Sequence, residues 1–222
     1  EVIVPHDNFA GLRYIRIPKD TIPDDLITGG ASDGVGTKIE IAERLNKHDT
    51  IAFDLIAMVV DGAAARGMEP VYVDTVFDVR ALKENGTSYI EMVRQVASGY
   101  LPANVAANTV LFTGETAEVG RRVQGYGPFN YNWSADCTWF GRESRRIDGF
   151  KVKANQSIIA FYEPGFRSNG FTRIRHTLEA KYDSDWHNKE PQLAQEILTP
   201  STIYAKALVE MTGAIMGDEK AR

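Results

Sequence analysis

The chain is organised around residues 31–38, which read Ala31-Ser32-Asp33-Gly34-Val35-Gly36-Thr37-Lys38. Glycines let the backbone turn tightly and approach a ligand closely, and the first N–H groups of the apolar-periodic segment 39–45 would favour an anion. In this pattern Asp33 could hold a metal ion and Lys38 could neutralise phosphate oxygens. The alternative is an ordinary Asp-Gly turn between a strand and a helix, with Lys38 in solvent, because short glycine-rich loops give many false matches.

Size and composition are those of an ordinary globular protein. The 222 residues can bury a core and form one or two domains. A net charge of −5 argues against a nucleic-acid or membrane-surface partner. We find no apolar run of about 18 residues and no signal peptide at the start, and we therefore expect a cytoplasmic protein.

Cysteine and histidine usage narrows the kinds of metal site. Cys137 is the single cysteine, which rules out an internal disulfide and a multi-cysteine metal site. The four histidines are scattered along the chain, so any divalent ion should be a hard cation held by oxygen ligands. We expect Cys137 to pack as a small apolar side chain on a predicted strand.

Residues 54–66, DLIAMVVDGAAAR, predict a buried helix that carries two acids. Asp54 and Asp61 are two helical turns apart and would share a face. Carboxylates on an otherwise apolar helix are costly unless a positive partner meets them, and a divalent ion or Lys38 would serve. The alternative is that Asp54 caps the helix and Asp61 is exposed beside Arg66.

The remaining segments alternate between strand-like and helix-like patterns, which predicts an α+β fold with layered strands and helices around a mixed sheet. The predicted strands are 24–30, 69–79, 108–113, 132–142 and 157–162. The predicted helices are 39–45, 54–66, 89–100, 171–182 and a last one from Thr199-Pro200 to Gly213, with Ile203, Leu208 and Met211 facing inward.

Two further polar stretches are candidates for ligand contacts. Glu115 follows a glycine after the 108–113 strand, where its carboxylate could face a ligand or begin a helix. Residues 165–170 form a second glycine-bounded loop before a helix. Arg167 would suit a phosphate there, whereas Ser168 or Asn169 could simply cap the helix.

Seven spaced motifs together resemble the phosphoribosylformylglycinamidine cyclo-ligase (aminoimidazole ribonucleotide synthetase) family. They are SDGVGTKIEIA at 32–42, NKHDTIAFDLIAM at 46–58, GMEP at 67–70, GETAE at 114–118, IDGFKV at 147–152, SNGFTRIR at 168–175 and LTPSTIYAK at 198–206. Their order and spacing hold over nearly the whole chain. The wider group includes selenophosphate synthetase, thiamine-phosphate kinase and formylglycinamidine ribonucleotide synthase.

The resemblance implies a two-domain enzyme of purine biosynthesis. Residues 1–146 would form an ATP-binding domain that pairs with a second subunit through its sheet, giving a homodimer, and residues 147–222 would begin a second α/β domain. The reaction would be ATP-dependent ring closure of formylglycinamidine ribonucleotide to aminoimidazole ribonucleotide, with Mg²⁺ as the companion of ATP.

The resemblance also implies roles for individual residues. Catalysis would involve Asp33, Lys38 and Asp54, and Mg²⁺ would be held by Asp33, Asp54 and Asp61. ATP would contact Gly34, Val35, Gly36, Thr37, Lys38, Glu115 and Thr116. The substrate would contact Arg167, Ser168, Asn169 and Gly170.

Departures from the family pattern keep other functions open. The family has an Asn-Asp pair where this chain has Asp61-Gly62, and it has histidine where this chain has Arg167. The residues around Asp74 also differ from the family pattern, which leaves the role of Asp74 open. The glycine-rich TGGG passage of the second domain is not reached, so we expect that domain to be incomplete. There are two alternatives. The protein could be another ATP-dependent kinase or synthetase of the superfamily, or it could be a catalytically silent module for nucleotide binding or dimerisation. The lack of an early catalytic cysteine argues against selenophosphate chemistry.

Overall fold

The computed structural model describes Val2–Ile3, Tyr14–Ile15 and residues 23–213. Its strands are β1 Val2–Ile3, β2 Tyr14–Ile15, β3 Leu26–Gly34, β4 Glu69–Val79, β5 Lys83–Glu84, β6 Thr87–Ser88, β7 Val110–Glu118 and β8 Tyr131–Arg142. Its helices are α1 Ile39–Leu45, α2 Ile51–Ala64, α3 Ile90–Ala107, α4 Phe171–Tyr182, α5 Trp186–Lys189, α6 Pro191–Leu198 and α7 Ala205–Thr212. Within these residues no helix is long and apolar enough to cross a membrane.

A four-stranded mixed sheet in the order β3-β8-β4-β7 supports the fold. Strand β8 runs antiparallel to both β3 and β4, whereas β4 and β7 are parallel and are connected through α3. Helix α2 packs on the sheet and on α3, and ten of its 14 residues are buried. The predicted α+β class with a mixed sheet is therefore confirmed.

Strand β8 illustrates how alternation in the sequence becomes a core face. Trp133, Ala135 and Cys137 are buried on one face, as a period of two requires. Burial raises the pKa of the Cys137 thiol to about 12, so this cysteine is held as an apolar packing residue. The predicted role of Cys137 is confirmed.

The strand that enters the glycine-rich stretch is longer than predicted. We expected it to end at Gly29-Gly30, but β3 continues to Gly34. Its last residues pair in register with β8, Ser32 with Asp136 and Gly34 with Ser134. The glycine and aspartate content of this segment favours a loop locally, and the ladder with β8 overrides that preference.

Two other predicted elements were wrong. Residues 157–162 form no strand, and Ile158 is 95% exposed; within the described residues this run pairs with no neighbouring strand. The last helix begins at Ala205 rather than at Thr199-Pro200, because the preceding residues are held by side chains of other elements, described below. It does end before Gly213, although Met211 is exposed rather than inward.

Candidate functional site

Lys38 and Asp54 form an ion pair in the interior. The Lys38 Nζ lies 2.7 Å from Asp54 Oδ1, and neither side chain is exposed to solvent. The ammonium also donates to the carbonyl oxygens of Phe166 and Thr199, each at 2.7 Å. A lysine has three protons to donate, so all of them are used inside the protein.

Asp54 additionally holds the segment that precedes α7. Its Oδ1 accepts hydrogen bonds from the backbone N–H of Ser201 at 3.2 Å and from the Ser201 hydroxyl at 2.6 Å. Burial raises the pKa of the Asp54 carboxyl, and the Lys38 ammonium opposes that rise. The positive partner that the sequence required for Asp54 is thus Lys38, and the alternative of a helix-capping Asp54 is wrong.

Asp61, two turns further along α2, is paired with Arg167. The Arg167 Nη2 lies 2.6 Å from Asp61 Oδ2, and the other carboxylate oxygen accepts from the N–H groups of Tyr204 and Ala205 at 2.9 Å. Arg167 also contacts Glu163 Oε2 at 2.9 Å. Asp61 is therefore not an exposed acid beside Arg66. Two of the positions that depart from the expected family pattern, Asp61 and Arg167, thus contact each other.

The three carboxylates expected to hold magnesium do not form one site. Asp54 and Asp61 are each neutralised by a cation of the chain, and the Asp33 Oδ1 accepts a hydrogen bond from the N–H of Gly34. In the part of the chain that the structure describes, no three His, Cys, Asp or Glu side chains are placed to hold a metal ion. This donor set does not fit a magnesium centre, and the magnesium role stays a prediction.

The predicted nucleotide loop becomes a single 3₁₀ turn, Gly36–Lys38, that leads directly into α1. Gly36 has a φ of 64°, which favours glycine at this position. Val35 is buried and donates its N–H to the Trp133 carbonyl. Gly36 and Thr37 line a cavity of about 290 Å³ between α1, residues 122–125 and α4.

The other predicted ATP residues lie elsewhere. Glu115 and Thr116 are on β7, the edge strand of the sheet, and line a second cavity of about 250 Å³ beside α3. Gly34 is the last residue of β3. The predicted ATP-binding set therefore does not line a single cavity, and its role stays a prediction.

The predicted substrate loop precedes α4. Gly170 is the residue before that helix and has a φ of 74°, and no side chain caps the helix, so the capping role proposed for Ser168 or Asn169 was wrong. The Ser168 hydroxyl is buried and has no hydrogen-bond partner among the described residues, whereas Asn169 and Gly170 are exposed. Their binding of substrate stays a prediction.

Sequence reasoning missed four charged residues at the Gly36–Thr37 cavity, of which Glu40 is paired with arginines. Of the other three, Glu43 lies on α1, Arg122 follows Gly120 in a short turn, and Arg175 lies on α4. Glu43 is 9% exposed, and burial raises its pKa to about 7. The available signal was that Glu43 adjoins the core positions of α1, but a helical glutamate is usually read as solvent-facing.

Comparison with known proteins gives a consistent set of relatives. Residues 22–135 match the family described as AIR synthase related protein, N-terminal domain. The chain is similar to the phosphoribosylformylglycinamidine cyclo-ligase of Acetivibrio thermocellus, with 31% identity over 215 residues, 95% of this chain and 59% of the relative. The corresponding protein of Bifidobacterium animalis subsp. lactis is 34% identical over 191 residues, 84% of this chain and 52% of the relative. The chain thus spans a little more than half the length of these relatives.

Similarity to solved structures extends over part of the fold. Thiamine monophosphate kinase from Aquifex aeolicus aligns with a TM-score of 0.48 and 14% identity, covering 84% of this chain and 56% of that chain. The hydrogenase maturation protein HypE in complex with ATP aligns with a TM-score of 0.40 and 15% identity, covering 63% of this chain and 36% of that chain.

Proposed function

The chain belongs to the AIR synthase related protein family, and we propose that its protein catalyses the ATP-dependent ring closure of formylglycinamidine ribonucleotide to aminoimidazole ribonucleotide. The observation that carries this proposal is the similarity to proteins named phosphoribosylformylglycinamidine cyclo-ligase along 95% of the chain. Because the chain spans 59% of that relative, we propose the activity for the protein as a whole.

The chemistry requires activation of a poor leaving group. Transfer of a phosphoryl group from ATP to the formyl oxygen creates a phosphate ester, an amidine nitrogen then attacks the formyl carbon, and orthophosphate leaves. Catalysis of this kind depends on positioning and on neutralising phosphate charge. Gly36 and Thr37 lie at the same cavity as Arg122 and Arg175, which supports such a role.

We assign Lys38 a positioning role in this proposal. Its ammonium is occupied by Asp54 and two carbonyl oxygens, and contact with a phosphate would require it to leave them. Held as it is, Lys38 fixes the end of the Gly36–Lys38 turn against α2. The carboxylates of α2 are already paired with Lys38 and Arg167 and do not fit a magnesium ion as placed here.

We further propose a cytoplasmic homodimer that associates through the open face of the sheet. Helices α2 and α3 pack on the face that carries Trp133 and Cys137. The opposite face of the sheet carries Ser32, Val76 and Asp136, which are exposed. This face is the one on which α2 and α3 do not pack, which leaves it available to a second copy, and sedimentation at graded concentrations tests the association.

The activity is tested by incubating the protein with formylglycinamidine ribonucleotide, ATP and MgCl₂ and measuring aminoimidazole ribonucleotide by chromatography. We expect product that depends on both ATP and substrate. The Acetivibrio thermocellus relative serves as the positive control. No product above the enzyme-free background, from protein whose folding is verified by circular dichroism, would overturn the proposal.

A second candidate is a nucleotide-binding module without turnover. It is favoured by the pairing of Asp54 and Asp61 with cations of the chain and by Gly62 where the family has a carboxylate. Calorimetry with a non-hydrolysable ATP analogue would then detect binding while the ring-closure assay detects no product. ATP turnover with another acceptor, such as thiamine phosphate, would instead indicate a kinase or synthetase of the same superfamily.

A further inference from the structure

Glu43 is a buried acid that no cation neutralises within the described residues. Its carboxylate accepts hydrogen bonds from the Tyr126 N–H at 2.6 Å and from Asn130 Nδ2 at 3.2 Å, and it forms no ion pair in that part of the chain. A Cβ on Gly125 would lie 2.4 Å from a Glu43 oxygen, so a side chain there would force the carboxylate to shift. Burying a carboxylate with neutral partners alone is costly.

The same cavity of about 290 Å³ is also lined by positively charged side chains. Arg122 lines it and forms no ion pair within the described residues. Arg175 uses Nη1 to contact Glu40 at 3.0 Å, whereas its Nε is buried and finds no hydrogen-bond partner in the part of the chain that the structure describes. Glu40 is further paired with Arg44 at 2.7 Å. Glu43 is therefore the acid of this cavity that a positively charged ligand group would neutralise.

We propose that this cavity binds a small phosphorylated ligand whose cationic nitrogen group, an amidinium or ammonium, docks on Glu43 while Arg122 and Arg175 face its phosphate. The choice of formylglycinamidine ribonucleotide as the ligand rests on the proposed function, because that compound carries both an amidine and a phosphate. The chemical class of ligand follows from the cavity itself.

Binding through Glu43 has a defined dependence on pH. Glu43 must lose its proton to meet a cation, and its pKa is raised to about 7 mainly by burial, so affinity should increase as the pH rises through 7. The charged and titratable groups around it are Glu40 and Arg44 on α1, Arg122 and Tyr126 on the loop, Tyr131 on β8 and Arg175 on α4. Arginines keep their charge over this range, and burial raises the pKa of Tyr131.

The test compares two ligands that differ only in the group meeting Glu43. Calorimetry without ATP measures the affinities of formylglycinamidine ribonucleotide and of formylglycinamide ribonucleotide, its neutral amide counterpart, at pH 8 and pH 6. We expect the amidine to bind at least about tenfold more tightly at pH 8, with a smaller preference at pH 6. Equal affinities at pH 8, or no binding of either compound, would overturn the proposal.

Glu43→Gln should reduce the preference for the amidine to less than about threefold, while Glu196→Gln, a change of an exposed glutamate on α6, should leave it intact. An unchanged preference in Glu43→Gln overturns the proposal. If that variant does not fold, ¹³C-carboxyl NMR of the wild-type protein measures the Glu43 pKa with and without the amidine. Bound amidine must lower that pKa from about 7. An unchanged pKa overturns the proposal. If the protein prefers the amidine but does not catalyse ring closure, only the proposed function is contradicted. If it catalyses ring closure but does not prefer the amidine, only this inference is contradicted.

Discussion

Replacing Lys38 by methionine removes a cation that three elements share. The variant leaves the Asp54 carboxylate buried and unpaired, and it deprives the carbonyl oxygens of Phe166 and Thr199 of their donor. Breaking a buried pair from one side typically costs about 3–5 kcal/mol. We expect Lys38→Met to lose that amount, which is a large part of the roughly 5–15 kcal/mol that stabilises a typical domain.

Urea unfolding followed by circular dichroism measures the loss. With a denaturant slope of about 2–3 kcal/mol per M, the midpoint should fall by more than about 1 M. Lys47→Met is the matched control, because Lys47 lies at the same 2.7 Å from Asp49 but both side chains are more than 40% exposed. Exposed pairs contribute about 0–1 kcal/mol, so the control should shift the midpoint little.

A double-mutant cycle with Asp54→Leu measures the interaction energy between Lys38 and Asp54 separately from the contacts that each makes with other residues. The double variant has no unpaired buried charge, and we expect it to be more stable than the sum of the single losses predicts, by about 2–3 kcal/mol. Two results would refute the reasoning: a loss below about 1 kcal/mol for Lys38→Met, or losses that simply add.

Three shorter predictions concern other side chains. Arg167→Lys should destabilise the protein by about 1–2 kcal/mol in urea, because lysine cannot reproduce the forked contact with Asp61 and Glu163; an unchanged midpoint would contradict this. Burial lowers the pKa of His48 from 6.5 to about 4, so its contribution is present above pH 6.5 and is lost as the pH falls towards 4, by about 3 kcal/mol. His48→Phe should remove that part of the pH dependence, and parallel pH–stability curves would argue against it. Cys137 should resist a thiol reagent at pH 8 until urea unfolds the chain, whereas rapid native labelling would show an accessible thiol.

Several elements could be predicted from local pattern alone. Helix α1 spans Ile39–Leu45 and strand β4 spans Glu69–Val79 as predicted, since each buries one face whose period is visible in its own residues. The alternation in β8 likewise predicted the packing of Cys137. By contrast, α6 was not predicted, because its short apolar stripe follows a polar segment.

Long-range pairing decided the elements that sequence reasoning placed wrongly. The strand ending at Gly34 depends on hydrogen bonds to β8, about a hundred residues later in the chain, which no local window contains. The apolar run 157–162 has strand propensity but no neighbouring strand among the described residues. A strand is stabilised by its neighbours, so propensity alone does not form it.

The acids of α2 show most clearly what the sequence determines and what the tertiary structure determines. The sequence by itself determined that Asp54 and Asp61 share a helical face and that such a face requires positive charge, because an unpaired carboxylate in an apolar interior is costly. Only the tertiary structure decided which charges meet them. Lys38 comes from 16 residues before Asp54, and Arg167 comes from 106 residues after Asp61. A cation of the chain and a metal ion would satisfy the same electrostatic requirement. In this structure the turn Gly36–Lys38 and residues 163–205 fold onto α2, so that Lys38 and Arg167 meet the two acids.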